Sequence, residues 1–542
     1  MRFTFNLVNK NWVPIITTDF QFQQVSITDL LISAHKIKEI SAATPIETVS
    51  LYRLNLALLH AMFQMTEDKW KVMWNAKQFD AQVIHDYLQK WTGRFDLFDA
   101  ERPFLQDASL EYVPEPASSL LGHIASGNDS TLFSHNTIDN SKQFSPSEAA
   151  IGLLSIQSFG VGGTKRSGNP LTDGYCARGI IFCVTGRNLF ETLMLNLYDP
   201  DDLLDYRLKR RDGDRPTWEM DSPYESSVSR PYGLLDHLTW LNRKVLLMPV
   251  VKDQGEVFVQ QIRYDAGLRT SEGAREVFNP MYHWRAKTDK TPTNDKSRSH
   301  SPMSFNPEKA LWRNSHVILK LASKTVAEKR RDKPVAALVW LANLARQDAV
   351  SRDWSYALSG FGVATKPGQD KTFFYRAETM PLSLDLLSND ELIERLTAAI
   401  TKAQDGADVA NRALHQLARW LFAPNKTDSD LRKEDRERIS QLAHSWNTEE
   451  RYWGALEPHF HHFISELPDH PDEAIGTWHV VLSRAAKAAF GYAENCVSGD
   501  SRARRAIAVA SVQFYSGLKG LFPKQVIAQE PDSSSEEEES GS

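Results

Sequence analysis

The segment best suited to bind a ligand is a glycine-rich loop at residues 159–168, FGVGGTKRSG. Glycine has no side chain, so such a loop can adopt positive φ and leave backbone N–H groups uncovered against a phosphate or a base edge. No acidic residue interrupts the loop, and two basic side chains add positive charge. The candidate contact residues are Gly160, Gly162, Gly163, Lys165 and Arg166.

The glycine loop matches neither of the common phosphate-binding motifs. The P-loop requires a glycine directly before its lysine, and no glycine stands directly before Lys165. Ser167 also lies one position beyond the place where the P-loop has its Ser or Thr. The dinucleotide-binding fingerprint fails because Lys165 occupies the place of its third glycine. From these residues alone, a tight structural turn and a ligand-binding loop are both open interpretations.

A second candidate is the turn that contains Gln369. Gly362, Pro367 and Gly368 predict a turn, and Thr372–Tyr375 predicts the returning strand of a hairpin. The tip of that hairpin would present Gln369 outward. An ordinary polar turn residue is the alternative interpretation.

A third candidate is the basic loop of residues 284–299, which lies between His283 and His300. Five basic residues stand against two acidic ones in this loop. A basic loop is one means by which proteins reach phosphates. A solvated surface loop is the alternative.

Signals for catalysis and metal binding are weak. The sequence lacks HExxH, GxSxG and CxxC arrangements. His85-Asp86 is an isolated pair, and His459, His461 and His462 do not share one helical face. Three scattered cysteines are too few for a disulfide framework or a four-cysteine zinc site. We therefore expect no enzyme activity, no metal and no cofactor.

Composition restricts the class of protein further. The chain has 542 residues, of which 41% are hydrophobic and 24% charged, enough for a large apolar core. The net charge of −6 argues against nucleic-acid binding, but five acidic residues lie in the terminal run 531–542, so the remaining chain is nearly neutral. Neither a membrane-length apolar run nor a secretory signal is present, so we expect a cytoplasmic protein without membrane contact.

The pattern of hydrophobic residues changes along the chain, and it predicts the elements that position these segments. Residues 1–380 mix short strand-like runs with helices, whereas residues 381–524 repeat long helical patterns. We therefore predict an α+β fold, with a large mixed α/β N-terminal domain and a C-terminal antiparallel four-helix-type bundle. The acidic, low-complexity residues 525–542 predict a disordered tail.

Individual elements can also be predicted. FTFNLVN followed by NWVPIITTD predicts an opening hairpin, and residues 116–168 predict long loops. A capping-box pattern at Ser388–Glu391 predicts the start of the first C-terminal helix. The other predicted elements are helix 49–65, strand 179–184, helix 188–197 and the C-terminal helices 388–403, 407–422, 449–467, 472–493 and 501–517.

The order of short motifs along the chain resembles the CasA family, the large subunits of the type I-E CRISPR surveillance complex Cascade. The resemblance covers nearly the whole chain, to about Leu521. Its specificity comes from the order of the motifs, because each one is short. The matching segments are Phe5–Ile15, Ser126–Phe133, the glycine loop with Arg178-Gly179, Pro216–Trp218, Gly233–Pro249, Asn279-Pro280, Gly368–Lys371 and Glu449–Trp453.

The resemblance implies a role in DNA recognition. Members of this family scan duplex DNA for a protospacer-adjacent motif, mostly through the minor groove, whose degenerate pattern suits several related motifs. The glycine loop would approach base edges through its backbone. Gln369, beside Gly368 and Lys371, would act as a wedge that unstacks the first target base pair to start an R-loop.

Two further site residues follow from the same resemblance. Arg275 corresponds to a basic finger that enters the minor groove, with Arg285 and Lys287 as alternatives. Phe133 corresponds to an aromatic residue that anchors the 5′ end of the guide RNA, where it would stack on a base.

The implied partners are double-stranded target DNA, CRISPR guide RNA, the other Cascade subunits and a recruited helicase-nuclease. The helical bundle would contact the small subunits and the displaced strand. The other Cascade subunits include the backbone subunits of the complex. Gly368 and Asp370 stand where the family commonly has Asn and Ala, and no cysteine cluster follows Pro249, so we expect no zinc. A phosphate- or nucleotide-binding enzyme and a protein scaffold are the competing functions.

Overall fold

A computed structural model describes most of the chain. The described residues form two compact units. The first contains residues up to Leu311 together with Lys320–Met380, and the second contains Trp312–Leu319 together with the chain from Pro381 onward. The described residues are 3–121, 143–164, 170–201, 206–208, 212–224, 231–252, 255–269, 277–287, 300–321, 332–352, 356–365, 372–426, 429–497 and 499–522.

Short strands and helices alternate through the first part of the chain. The strands are β1 (Val13–Thr17), β2 (Phe22–Val25), β3 (Ile37–Ile40), β4 (Glu115–Pro116), β5 (Gly163–Thr164), β6 (Pro170–Leu171), β7 (Ile181–Thr185), β8 (Arg243–Val251), β9 (Val257–Ala266), β10 (Trp284–Ala286), β11 (His300–Pro302), β12 (Tyr356–Thr365) and β13 (Thr372–Leu382). The helices up to residue 346 are α1 (Ile27–Ile32), α2 (Pro45–Phe63), α3 (Glu67–Ala76), α4 (Ala81–Trp91), α5 (Pro146–Phe159), α6 (Leu189–Leu195), α7 (Leu234–Leu238), α8 (Ser315–Ile318) and α9 (Ala336–Arg346).

The sheets of the first unit are small. β1 lies between β2 and β3, β9 lies between β4 and β8, and β12 lies between β7 and β13. Two further sheets in the described ranges are short antiparallel pairs, β5 with β6 and β10 with β11. Because no sheet in the described ranges is wide enough to form a core alone, helices supply much of the buried surface, with α2 packed against α5.

The opening hairpin is shifted from its predicted place. NWVPIITTD contains β1, the first strand of the hairpin, and β2 follows it. FTFNLVN is not a strand: only Asn6 makes an isolated bridge, to Asp96. The predicted helix over 49–65 is confirmed in substance by α2, and the predicted strand over 179–184 by β7.

The prediction of loops throughout 116–168 was wrong, because α5 lies inside this segment. The helix begins with a capping box in which Ser145 and Glu148 bond each other's backbone N–H groups. Its residues are buried on nearly every side. A helix buried all round carries no amphipathic period, and this is why the pattern was missed.

The second unit is helical, which together with the mixed first unit confirms the predicted α+β class. Within it, α11 packs against the next helix, α12, and against the last two helices, and α13 packs against α14. Its helices after Pro381 are α10 (Leu384–Ser388), α11 (Asp390–Phe422), α12 (Lys433–Ser445), α13 (Thr448–Glu466), α14 (Pro471–Asn495) and α15 (Ser501–Leu521). None of the helices in the described ranges is long and apolar enough to cross a membrane.

Two helices predicted from the sequence are one. α11 runs without a break through Gly406, where the sequence predicted an interruption. Its N-cap is Asn389, whose side chain accepts hydrogen bonds from the backbone of Glu391 and Leu392, so the predicted cap at Ser388 was one residue early. α12 was not predicted, because it has only two buried residues and a largely charged surface.

Candidate nucleic-acid interface

The glycine loop begins where α5 ends. Gly160 is the C-cap residue, with φ of −54°, and its N–H donates to the Ile156 carbonyl at 3.0 Å. After Val161 the chain enters β5, and Gly163 pairs with Leu171 on β6. The loop is therefore the root of a short hairpin. Lys165 and Arg166, which lie between β5 and β6 in the sequence, are outside the described residues.

Asp173 holds the hairpin from its returning side. Its Oδ1 accepts the N–H of Gly162 at 2.7 Å, and its Oδ2 accepts Nε of Arg178 at 2.8 Å. A Cβ on Gly162 would lie 3.2 Å from both Oδ1 of Asp173 and the Leu171 carbonyl oxygen, tighter than ordinary contact. Gly162 thus permits a close approach between the two sides of the hairpin.

The chain after the hairpin returns directly onto the end of α5. Gly174 N–H donates to the Gly160 carbonyl at 2.7 Å, and Cys176 N–H donates to the Ser158 carbonyl at 2.9 Å. A Cβ on Gly174 would overlap the Ser158 carbonyl oxygen. The packing at this point leaves no room for any side chain.

A buried arginine ties the hairpin to the β8–β9 sheet. Arg243 is fully buried at the start of β8, and its guanidinium donates to the carbonyls of Val161 and Thr172, both at 2.8 Å. Nε donates to the Tyr264 hydroxyl at 2.8 Å. The outgoing and returning sides of the hairpin are therefore held by one planar group.

These contacts correct the reason for which glycine was expected here. None of the described loop glycines has positive φ, and the N–H groups of Gly160 and Gly162 are occupied within the protein. Glycine is needed because main-chain atoms and the guanidinium approach too closely for a Cβ. The described part of the loop is an anchored base, and any ligand contact falls to the residues beyond it.

The second predicted hairpin is present. β12 and β13 are hydrogen-bonded neighbours. Gly368, Gln369 and Lys371 lie between them in the sequence and are outside the described residues. Gly362 lies within β12 and not in the turn, and a Cβ there would be 3.0 Å from the Gly179 carbonyl oxygen.

The roots of three predicted site segments meet at one small cavity. One pair of lining residues belongs to the glycine loop, and a second pair belongs to the β12–β13 hairpin. The third pair directly precedes residues 122–142. That segment includes Phe133 and lies outside the described residues. These lining residues are Phe159, Val161, Val363, Tyr375, Leu120 and Leu121. Burial raises the pKa of the Tyr375 hydroxyl well above its ordinary value, and Glu47 beside the cavity acts in the same direction. The structure thus brings together segments that are more than two hundred residues apart in sequence.

The basic loop is rooted elsewhere in the first unit. Its ends form the β10–β11 pair, and Asp332 Oδ1 accepts the Ala286 N–H at 2.8 Å. Burial acts to raise the pKa of Asp332, but His283, whose Nε2 lies 3.8 Å from Oδ2, and the hydrogen bond from the Ala286 N–H outweigh it, so the pKa is lowered. Arg285 is exposed, whereas Arg275 and residues 288–299 lie outside the described residues.

Sequence reasoning missed Arg243 and Asp173. The available signal for Arg243 was a charged residue just before the apolar run 245–251, because an arginine buried in a strand must find hydrogen-bond acceptors. Asp173 carried no signal, since its partners, Gly162 and Arg178, are recognisable only once the hairpin has formed.

The remaining chemistry-bearing groups do not form a metal centre in the described ranges, where no three His, Cys, Asp or Glu residues are placed to hold an ion. Cys176 and Cys183 are buried thiols, and burial raises the pKa of Cys183 to about 12. His459 and His462 line a cleft between α13 and α14 together with His470.

Fold and site together define a two-unit protein, with anchored hairpins on a mixed unit and a separate helical unit. The family model described as CRISPR-associated protein Cse1 matches residues 6–489, and the chain belongs to this family. The resemblance recognised from the sequence motifs is thereby confirmed.

Individual proteins match over nearly their full length. The CRISPR-associated protein CasA/Cse1 of Thermus thermophilus is 28% identical over 524 residues, which are 94% of this chain and 96% of the relative. A crystal structure of CasA from the same organism has a TM-score of 0.75 at 25% identity and covers 96% of this chain and 100% of its own. A chain of a CRISPR RNA-guided surveillance complex has a TM-score of 0.69 at 20% identity, with 94% and 99% covered.

Proposed function

We propose that this protein is the non-catalytic large subunit of an RNA-guided type I-E CRISPR surveillance complex. It recognises a protospacer-adjacent motif in double-stranded DNA through the minor groove and opens the adjacent duplex, so that guide RNA pairing can begin. It then recruits a helicase-nuclease. Membership of the Cse1 family and the full-length likeness to a chain of a surveillance complex support this proposal.

The meeting of three segments at one cavity is the observation that carries the proposal. Motif reading, strand opening and guide anchoring must act on neighbouring nucleotides, so their segments need a common base. The glycine loop, the β12–β13 hairpin and the segment that leads to Phe133 have that common base. Fixed roots favour recognition because they reduce the ordering cost that the segments they carry must meet on binding.

Each candidate residue has a physical role in this proposal. Lys165 and Arg166 contribute charge near the phosphates, from a loop whose glycines allow its base to pack closely. Gln369, with Gly368 and Lys371 beside it, wedges into the duplex, and unstacking one step costs a few kcal/mol that new contacts offset. The remaining two residues are Arg275 as the minor-groove finger and Phe133 as the guide anchor.

The nearly neutral charge of the chain suits a protein that scans DNA. Nonspecific binding comes mainly from phosphate neutralisation, so a strongly basic protein would remain on every duplex. Five of the 69 acidic residues lie in the terminal run. The helical unit is proposed to contact the small subunits and the displaced strand.

The test is reconstitution of the full chain with guide RNA and the other subunits. Binding is measured on linear duplexes with and without candidate adjacent motifs. We expect tighter binding to a subset of motifs, and equal binding to all duplexes would overturn the recognition proposal.

The wedge is tested separately with Gln369→Ala. We expect this variant to slow strand opening on fully paired duplex far more than on a duplex with premade mismatches beside the motif. An equal effect on both duplexes would make Gln369 an ordinary turn residue.

A further inference from the structure

Arg243 has an unusual set of partners for a buried cation. The residue is fully buried, and among the described residues its guanidinium bonds three main-chain carbonyls and one phenol, with no carboxylate. A buried charge without a counter-ion is costly unless hydrogen bonds satisfy its donors. Arg243, with this energetic cost, lies where the glycine hairpin leaves the core.

The acceptors of Arg243 lie on both sides of that hairpin. Nη2 reaches the Val161 carbonyl before β5, and Nη1 reaches the Thr172 carbonyl after β6. Since the guanidinium is rigid and planar, the two carbonyls are held at a fixed separation. Leucine or methionine could fill the same volume but could not hold either carbonyl.

Two residues at the end of α5, Gln157 and Gly160, fix the position of Arg243 relative to this helix. The Gln157 side chain accepts the Arg243 N–H at 2.8 Å and donates to the Arg243 carbonyl at 2.9 Å. A Cβ on Gly160 would lie 3.0 Å from Nη2 and 2.6 Å from the Ile156 carbonyl oxygen. Gly160 therefore leaves the space through which the guanidinium reaches the hairpin.

We infer that Arg243 is a positioning residue for motif recognition. It sets the separation and direction of the hairpin sides, and through them the placement of the loop that reads the DNA. This inference rests on the proposed function, because it assigns Arg243 a role through the glycine loop. It requires no contact between Arg243 and DNA.

The experiment compares Arg243→Met, Arg243→Lys and Gly160→Ala in the reconstituted complex. The readout is the ratio of affinities for duplexes with and without the preferred motif, and hydrogen exchange of residues 160–174 in the same samples. We expect Arg243→Met to reduce this ratio by about tenfold, the scale of one base-edge contact. Exchange should accelerate in the hairpin and stay unchanged in β8 and β9.

Arg243→Lys should retain part of the ratio, because its ammonium can still donate to one or two carbonyls. Gly160→Ala should reproduce the Met variant, and the double variant should be no worse than either single one, since both break the same link. The matched control is Arg263→Met on β9, whose guanidinium bonds the Leu110 carbonyl away from the hairpin; its ratio should not change.

The outcomes separate the two proposals. If the wild-type complex does not discriminate between motifs, the proposed function fails. If the wild type discriminates and the Arg243 and Gly160 variants do so equally well, the positioning role of Arg243 is wrong. A loss that is equal on duplexes with and without the motif would also overturn it, because a merely structural defect would weaken both.

Discussion

At the scale of single residues, the base of the glycine hairpin depends on main-chain atoms that approach one another closely. Gly160 and Gly174 occupy two sides of one contact, in which Gly174 N–H donates to the Gly160 carbonyl. Neither residue has positive φ, so replacement would be limited by space and not by backbone conformation. The loop is recognisable in the sequence. The need for glycine at position 174 is not, because only folding brings the Ser158 carbonyl against this residue.

Gly174→Ala is expected to destabilise the first unit by about 1–3 kcal/mol, because the added methyl group overlaps the Ser158 carbonyl. Denaturant unfolding followed by tryptophan fluorescence would measure the loss. Gly93→Ala is the control, since its Cβ would meet nothing within 4 Å, and it should change stability by less than about 0.5 kcal/mol. Equal effects of the two substitutions would refute the packing argument.

At the scale of elements, α11 continues through Gly406, and the neighbouring helix α13 packs a side chain against this glycine. The Tyr452 hydroxyl of α13 donates to the Ala403 carbonyl at 2.9 Å, and a Cβ on Gly406 would lie 2.6 Å from that hydroxyl. From the sequence, Gly406 predicts a helix break, since glycine weakens a helix by about 1 kcal/mol relative to alanine. Packing overrides that local preference.

Gly406→Ala should therefore destabilise the second unit, with the clash of about 1–3 kcal/mol exceeding the gain in helix propensity of about 1 kcal/mol. In a Tyr452→Phe background the same substitution should become neutral or stabilising, because the hydroxyl is gone. Helical circular dichroism during chemical unfolding measures each corner of the cycle. The control is Gly476→Ala on α14, where the Cβ would meet open space, and it should stabilise the second unit. Additive effects of Gly406→Ala and Tyr452→Phe would contradict a contact between the two residues.

The helical unit should also lose stability in mild acid. Burial lowers the pKa of His415 on α11 below 6.5, and His444 on α12, with its ring 6.0 Å away, lowers it further. Below pH 6.5 the unfolded chain takes up this proton before the folded chain does, so stability falls as pH decreases toward the folded pKa. Above pH 6.5 the contribution is constant.

His415→Gln should reduce the slope of stability against pH below 6.5. Unfolding midpoints of the helical unit measured across this range would give the slope. His462→Gln on α13, an exposed histidine, serves as the control and should leave the slope as in the wild type. A slope unaffected by His415→Gln would assign the acid sensitivity to other groups.

At the scale of the whole molecule, the second unit is assembled from two separate stretches of chain. Trp312, from the short stretch 312–319, is buried with 2% exposure and stacks on Phe460 of α13 at 4.5 Å. The sequence predicted a continuous helical domain from residue 381 and gave no sign of this insertion. A fragment that begins at Pro381 would lack the side chain that covers Phe460.

Trp312→Ala is expected to destabilise the second unit by about 3–5 kcal/mol, as removal of a large buried aromatic residue does. Trp312→Phe should cost less, because a ring can still stack on Phe460. Hydrogen exchange of α13 and α14 in the full chain would localise the effect. Unchanged exchange in both helices would show that Trp312 is not part of their core.

The sequence by itself determined the fold class, the hairpin that carries Gln369, most helices and the family, because these depend on local periodicity, turn residues and motif order. Only the tertiary structure decided that α5 is a buried helix, that Gly406 lies within a helix and that Arg243 holds the glycine hairpin. These features depend on atoms far apart in sequence. A buried helix loses its amphipathic pattern, and a glycine or arginine acquires its role from the carbonyls or side chains that folding brings within a few ångströms.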